Sequence, residues 1–243
     1  MKKIVFTLAI MFVFASCSKV EKGQYLLAGT AKGVQNGKKV VIKKQTETGI
    51  TLSLDSTKVK DGKFEVKGKF TEPEMYAVFV EGLQQPVPFI VENDEVKITI
   101  DKDSIWKSKI GGTNYNDKFQ QFNEKSNEVN KKLVEFQNKN MQAFMAAQQS
   151  QDTVAMNKLR KGYDAIAKEL KDYYETYPDK NGDSYISLLM IQSDFNSPNF
   201  KLEKTKKSFG NLDSELKNTK IGKSIAEKIK VVEKSQKVAP TKK

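Results

Sequence analysis

The sequence predicts an α+β fold: an N-terminal antiparallel β domain resembling a β-sandwich, followed by an all-α region with a long helical hairpin. Two observations carry this prediction. Before Gly111-Gly112, apolar and polar residues alternate in short runs, which is the period of a strand. After those glycines, apolar residues recur at steps of three and four, which is the period of an amphipathic helix. The pattern therefore changes once, near the middle of the chain.

The strand-like runs occupy residues 25–110 and are rich in Val, Ile, Phe and Thr. Turn residues separate them: Asn36-Gly37, Asp61-Gly62 and Asn93-Asp94 can supply the positive φ angles that tight hairpins need. Short hairpin connections make antiparallel pairs, so we expect an antiparallel domain with one buried face. The side chains expected on that face are Leu52, Leu54, Phe64, Val66, Val78, Val80, Ile98 and Ile100.

Residues 111–234 are predicted to form the helical region. One apolar stripe runs from Phe119 to Phe144 and a second from Met156 to Tyr177, with Asp152 placed to cap the second helix. Because only a few residues join the two stripes, the helices should lie antiparallel as a hairpin. Two shorter helices are expected at 185–195 and around 221–232. Residues 235–243 show no periodicity and are predicted to be a disordered basic tail.

The N-terminus has the features of a secretory signal over residues 1–16. Lys2 and Lys3 precede an apolar run, and the small pair Ala15-Ser16 precedes Cys17, the only cysteine. The run is shorter than the roughly 20 apolar residues that a spanning helix needs. A plain signal peptide with an incidental cysteine is one interpretation of this segment.

The other interpretation is a lipid anchor. The stretch Val13-Phe14-Ala15-Ser16-Cys17 resembles the lipobox of bacterial lipoproteins, which implies that Cys17 is acylated and binds membrane lipid. Residues 17–24 would then be a lipidated tether. Ser18 stands where Asp would favour retention in the inner membrane of Gram-negative bacteria. We therefore expect a cell-envelope protein, anchored in the outer membrane.

Charge does not indicate a nucleic-acid partner. The chain has 42 basic and 30 acidic residues, a formal net charge of +12, but its lysines are interleaved with Glu and Asp throughout. Arg160 is the single arginine, whereas phosphate and base recognition favour arginine. The pattern is typical of a solvated lysine-rich surface. The runs from Lys201 to Lys207 and from Lys228 to Lys243 are the remaining places for an anion-binding patch.

The residue inventory disfavours an enzyme. There is no histidine, which excludes imidazole acid-base chemistry, and acylation of Cys17 would leave no free thiol. The segment from Asp179 to Asp183 resembles a calcium loop only in part, because Met190 stands where the bidentate Glu belongs. Asp101 and Asp103 are interpreted as a solvated strand end. No catalytic, cofactor-binding or metal-ligating residue is predicted, and the lipidation site at Cys17 is the one site residue.

Four tyrosines on the second predicted helix leave two interpretations open. Tyr163, Tyr173, Tyr174 and Tyr177 lie at helical spacing, which is typical of the core and rim of a hairpin. The alternative is that they form a binding face.

Four short motifs resemble the envelope family catalogued as domain of unknown function 4369. They are Leu54-Asp55-Ser56, Asp61-Gly62-Lys63-Phe64, Pro73-Glu74-Met75-Tyr76 and Gly112-Thr113-Asn114-Tyr115-Asn116. The resemblance implies a short β domain with a Gly-Ser/Thr-x-x-Asn entry to helices, often followed by a thioredoxin-like oxidoreductase domain. Here Val238-Ala239-Pro240 resembles the entry to that domain, but the printed sequence contains no Trp-Cys-x-x-Cys centre.

Two functions from different classes follow from these observations. The first is a non-enzymatic, membrane-anchored envelope lipoprotein that binds a partner, such as a component of a surface assembly. The second is an accessory or truncated member of a thiol-disulfide oxidoreductase system, whose partner would be a thioredoxin-like protein. No cofactor is expected in either case.

Overall fold

The computed structural model describes residues 20–46 and 48–238, which form eight strands and then six α-helices. The strands are β1 Gln24–Thr30, β2 Lys39–Gln45, β3 Thr51–Lys58, β4 Lys63–Lys69, β5 Glu74–Val80, β6 Val87–Val91, β7 Glu95–Thr99 and β8 Lys109–Gly111. The helices are α1 Asn114–Gln149, α2 Thr153–Lys180, α3 Tyr185–Asp194, α4 Leu202–Asn211, α5 Ser214–Asn218 and α6 Lys220–Val238. The predicted α+β fold is therefore confirmed.

The strands form two four-stranded sheets. The first has the order β4-β1-β7-β8 and the second has the order β3-β2-β5-β6. Neighbouring strands are antiparallel with one exception: β1 pairs with β7 in parallel, with Leu26 opposite Glu95 and Thr30 opposite Thr99. The prediction of an antiparallel domain built from hairpins did not include this parallel pair, because β1 and β7 are far apart in the sequence and are not joined by a turn.

Six of the eight side chains predicted to face inward are buried, and the other two, on β3, are not. Leu52 is 42% exposed and Leu54 is 37% exposed. β3 lies at the edge of the second sheet, and its register against β2 shifts where Ile42 pairs with Asp55 and Lys43 with Ser53. Leu54 is therefore the extra residue of a β-bulge, which turns Asp55 inward in its place.

Two glycines in the first sheet face aromatic rings across the strand pair. Gly29 lies opposite Phe64, and Gly68 lies opposite Tyr25. A Cβ atom on Gly29 would overlap the ring of Phe64, and one on Gly68 would overlap the ring of Tyr25. The missing side chains therefore give the rings their space in the core between the sheets.

The core is continuous from the sheets into the helices. Buried apolar residues of the strands, such as Leu27 and Phe89, belong to the same cluster as Tyr185 and Leu188 of α3 and Leu216 of α5. The sheets and the short helices therefore share one core.

The long predicted hairpin is present. α1 and α2 contact each other along the pair, and the Asp152 carboxylate accepts hydrogen bonds from the backbone N–H groups of Val154 and Ala155 at 3.0 and 2.9 Å. With 36 residues, α1 is about 54 Å long. No helix among the described residues combines the length and apolar character needed to cross a membrane.

Helices α4 and α5 were not predicted. The buried face of α4 consists of Leu202, Thr205 and Ser208, so its spacing is helical but two of its three residues are polar. Ser208 donates a hydrogen bond to Asp179 at 2.6 Å, and this partner makes its burial possible. α5 has only five residues, which is too short for a periodic signal.

The structure describes part of two predicted segments, the C-terminal tail and the N-terminal tether. Residues 235–238, assigned to a disordered tail, continue α6, because no proline or glycine follows Gly222 until Pro240. Within the predicted tether, the Asn93 side chain donates to the carbonyl oxygens of Glu21 and Gln24, and Gln24 begins β1. Residues 1–19, with the signal peptide and Cys17, and residues 239–243 lie outside the described residues.

Replacing Gly29 with alanine should lower the free energy of unfolding by about 1–3 kcal/mol, because the added methyl group would overlap the Phe64 ring and overpack the core. The matched control is Gly210→Ala in α4, where a Cβ atom meets nothing within 4 Å. That change should be neutral or should stabilise by up to about 1 kcal/mol. Urea unfolding of both variants measures the difference. Equal effects would show that Phe64 does not need the space above Gly29.

Candidate functional site

A half-buried carboxylate joins the sheets to the first helix. Glu92 follows β6, and its Oε2 accepts hydrogen bonds from the Thr113 hydroxyl, from the backbone N–H groups of Tyr115 and Asn116, and from the Asn116 amide. These donors include two free N–H groups of the first turn of α1, where a negative charge also interacts favourably with the helix dipole. We call Glu92, Thr113 and Asn116 the sheet–helix joint.

Asn116 also closes the open edge of β6. Its side-chain oxygen accepts from the N–H of Ile90 at 2.8 Å, and its amide nitrogen donates to the carbonyl oxygen of Ile90 at 2.6 Å. β6 is an edge strand of the second sheet, so these backbone groups have no neighbouring strand on that side. Asn116 is fully buried and takes the place of that strand, which explains the asparagine in the Gly-Ser/Thr-x-x-Asn motif.

Gly112 is required by the same arrangement. Its φ angle is +90°, and a Cβ atom there would lie 2.6 Å from the carbonyl oxygen of Glu95. A side chain at this position would thus be both strained and blocked. The other family motifs also have structural roles: Asp55 accepts a hydrogen bond from the Tyr25 hydroxyl at 3.2 Å, and Tyr76 packs edge-on against Tyr25 and Phe89.

The α1–α2 hairpin is well packed near the sheets. Phe122 of α1 stacks on Tyr173 and Tyr174 and meets Tyr177 edge-on. Burial raises the pKa of Tyr173 to about 12. These three tyrosines are therefore in the core and rim of the hairpin, the first of the two interpretations drawn from the sequence.

Ion pairs reinforce the same part of the hairpin. Glu169 of α2 accepts from Lys125 and Lys132 of α1, and both lysines also pair with Glu128. The two lysines lower the pKa of Glu169 through direct hydrogen bonds. Since these side chains are partly exposed, the network specifies the pairing of the helices more than it stabilises them.

The far part of the hairpin is open and apolar. A cavity of about 620 Å³ lies between α1 and α2, and we call it the hairpin groove. Three of the most exposed apolar side chains of α1 lie at this end: Met141 (50% exposed), Phe144 (47%) and Met145. The groove is lined by Phe136, Gln137, Asn140, Met141, Phe144, Met156, Asn157, Leu159, Arg160 and Tyr163.

The groove exists because two helices cannot cover their own apolar stripes. Gly162 brings the helices close, since a Cβ atom there would lie 2.7 Å from the Phe136 ring. Val129, on the sheet side of this contact, and Ala147, near the end of α1, are buried, but no third layer among the described residues covers Phe144 and Met141. An exposed apolar cleft with few polar groups is the usual form of a binding site.

The predicted hairpin stripes include five of these ten residues, but the sequence did not predict that they line a groove. Phe136, Phe144, Met156 and Leu159 were assigned to the hairpin stripes, and Tyr163 lines the groove, unlike the other three tyrosines. Met141 and Met145 could have indicated an exposed apolar surface from the sequence alone. They lie outside the predicted stripe and make the helix apolar on more than one side.

Two lysines of the first candidate anion-binding run are used in ion pairs. In the run from Lys201 to Lys207, Lys206 pairs with Glu203 and Glu233, and Lys207 pairs with Asp179. No group of three or more His, Cys, Asp or Glu side chains among the described residues could hold a metal ion. Cys17, the predicted lipidation site, lies outside the described residues.

We predict that Glu92, in the sheet–helix joint, contributes less to the stability of the fold as pH rises. Burial raises the pKa of Glu92 in the folded chain, although its four hydrogen bonds oppose the shift. A raised carboxyl pKa means that the folded chain holds the proton more tightly, so stability contributed by Glu92 is lost as pH rises through the folded-state pKa. The unfolding free energy of the wild type, relative to Glu92→Gln, should therefore fall as pH rises from about 4.

Glu81→Gln provides a control with the opposite sign. The backbone N–H of Lys39 and the Lys38 ammonium lower the pKa of Glu81, so its contribution should be lost as pH falls. Denaturant unfolding across this pH range, with wild type and both variants, measures the two slopes. A slope of the same sign for both glutamates would contradict the assignment of Glu92.

Comparison with known proteins gives one result for the β domain. Residues 25–119 match the family model described as Domain of unknown function (DUF4369). The comparison with curated proteins found no match. The match includes all four motifs that gave the resemblance and both ends of the sheet–helix joint, and it confirms that resemblance. The chain therefore contains a DUF4369 domain, which covers nearly all of the eight strands and the first turns of α1.

Proposed function

We propose that this protein is a non-enzymatic binding module of the cell envelope, anchored to membrane lipid through Cys17, which binds a partner protein in the hairpin groove. The observation that carries this proposal is the groove itself. It has a volume of about 620 Å³, and it leaves Met141 and Phe144 half exposed at the end of a long, otherwise well-packed hairpin. Apolar surface of this kind is costly to leave in water and is typical of an interaction site.

The residue inventory supports a binding role over an enzymatic one. The chain has no histidine, and its one cysteine is the proposed lipid acceptor. The carboxylate most strongly enclosed by hydrogen bonds, Glu92, is used to hold α1 against the sheets. These hydrogen bonds support a structural role for Glu92.

The anchor is proposed from the sequence of residues 13–17, which resembles a lipobox. The acylated cysteine would place the β domain near the membrane, because Glu21 is tied to Asn93 only four residues after Cys17. The outer membrane is the proposed location, since Ser18 follows the cysteine.

The alternative is an accessory role in a thiol-disulfide system, with a thioredoxin-like protein as the partner. This alternative is drawn from the resemblance described above, which implies a thioredoxin-like domain after the helices in many members of the family. The two functions share the groove and differ in the partner that it binds.

The anchor is tested by Cys17→Ser. We expect the wild type to incorporate radiolabelled palmitate and to fractionate with membranes, and the variant to do neither, because the acyl acceptor is absent. Unfolding of the variant should match that of the wild type, because the change replaces one sulfur atom with oxygen. Equal labelling of both proteins would contradict the lipoprotein assignment.

The groove is tested by Phe144→Asp, with Val231→Asp on α6 as the matched control. Both side chains are exposed, so neither change should unfold the protein, but only Phe144 lines the groove. After cross-linking in native envelopes, the partner should be recovered with the wild type and with Val231→Asp and lost with Phe144→Asp. Recovery of the partner with the wild type and with both variants would mean that it binds outside the groove. A thioredoxin-like partner would favour the accessory role in a thiol-disulfide system.

A further inference from the structure

The end of the hairpin carries unbalanced positive charge. Between Phe136 and Tyr163 there are four cations, Lys139, Lys158, Arg160 and Lys161, against one acid, Asp152, so the net charge is 4 − 1 = +3. Asp152 is occupied as the N-cap of α2. The four cations have no ion-pair partner among the described residues. In the rest of the hairpin, by contrast, six of seven lysines are paired: Lys118, Lys125, Lys131, Lys132, Lys168 and Lys171.

Arg160 is the cation that lines the groove. It is exposed, it is the only arginine among 42 basic residues, and no hydrogen-bond acceptor among the described residues contacts its guanidinium. A guanidinium presents a planar fork of donors that matches a carboxylate in two parallel hydrogen bonds. The hairpin groove is apolar and has one guanidinium at its side. It therefore fits a ligand that has an apolar face and a carboxylate next to that face.

The apolar surface of α1 has the spacing of a helix-packing face. Val134, Met141 and Met145 are all exposed and lie at steps of seven and four residues, so they share one side of α1 over about 16 Å. That length corresponds to three turns of a second helix laid alongside. Methionine side chains adapt to varied partners, as in other helix-binding grooves.

The charge of each possible ligand decides which of them fits the hairpin groove. A second copy of this chain would bring the same unpaired cations to the contact, which is repulsive. The chain's own N-terminal segment, residues 1–16, carries Lys2 and Lys3 and no acid, so it cannot pair with Arg160. A partner with an acidic side chain beside an apolar face is complementary to the groove both in charge and in apolar character.

We infer that the hairpin groove binds an amphipathic helix of another protein, which packs its apolar face as a third helix on α1 and α2 and pairs an Asp or Glu beside that face with Arg160. This inference rests on the proposed role of the groove. It adds the chemistry of the partner and a specificity-determining residue.

The probes are two designed amphipathic peptides of about three heptads, with the same leucine face and with either Glu or Lys at the flanking positions. The full-length protein should bind the Glu peptide more tightly than the Lys peptide in fluorescence anisotropy at about 0.15 M salt. Arg160→Glu should weaken binding of the Glu peptide roughly 10- to 100-fold and reverse the preference. Arg160→Lys should restore only part of the affinity, because an ammonium cannot make the paired hydrogen bonds.

Lys161→Glu is the matched control. It changes the net charge by the same amount at the adjacent residue, which does not line the groove, and it should keep the preference for the Glu peptide. An equal loss with Lys161→Glu would mean unspecific attraction and would overturn the inference. So would equal affinity for both peptides, or binding only to phosphatidylglycerol vesicles, or dimerisation of the free protein that Phe144→Asp abolishes.

Phe144→Asp separates this inference from the proposed function. It should abolish binding of both peptides, because it removes an apolar wall of the groove, whereas Arg160→Glu should weaken the Glu peptide selectively and leave the Lys peptide bound. If the wild type binds neither peptide but still loses its envelope partner with Phe144→Asp, the inference fails and the proposed function stands. If the envelope partner is also unaffected by Phe144→Asp, both fail.

Discussion

The rest of the structure depends on the hydrogen bonds of one half-buried carboxylate, Glu92, at the start of a helix. Glu92 leaves the last strand of the second sheet and accepts four hydrogen bonds from Thr113, Tyr115 and Asn116, while Asn116 also occupies both backbone groups of Ile90. These bonds satisfy the free N–H groups of α1 and the open edge of β6 together. Because they fix the first turn of α1, they fix the direction of a helix about 54 Å long.

The family match covers this joint and ends soon after it. The DUF4369 match ends at residue 119, just beyond the turn that Glu92 and Asn116 fix. A small set of polar contacts sets where the hairpin begins, and most of the hairpin lies beyond the matched residues. The hairpin here combines a paired, aromatic part near the sheets with an unpaired, apolar end. The first is covered by its own side chains, whereas the second leaves Met141 and Phe144 half exposed among the described residues.

Backbone space matters as much as hydrogen bonding in positioning these elements. Gly29 and Gly68 leave room for the rings of Phe64 and Tyr25, and Gly162 allows the Phe136 ring to approach α2. In each case the absence of a Cβ atom lets a large ring fill space between two elements. The sheets and the hairpin thus use the same means of close packing, although one is built from strands and the other from helices.

The sequence by itself determined the α+β class, the change from strands to helices near Gly112, the hairpin with its Asp152 cap, and the family. Local periodicity and capping depend on neighbouring residues, so they can be read from the chain. Tertiary structure decided the parallel β1–β7 pair, the bulge that exposes Leu54, and the helix α4, whose buried residues are mostly polar. It also decided that the end of the hairpin is a groove beside Arg160. Whether an apolar residue is covered depends on a third layer from elsewhere in the fold, and a stripe in the sequence does not say whether that layer is present.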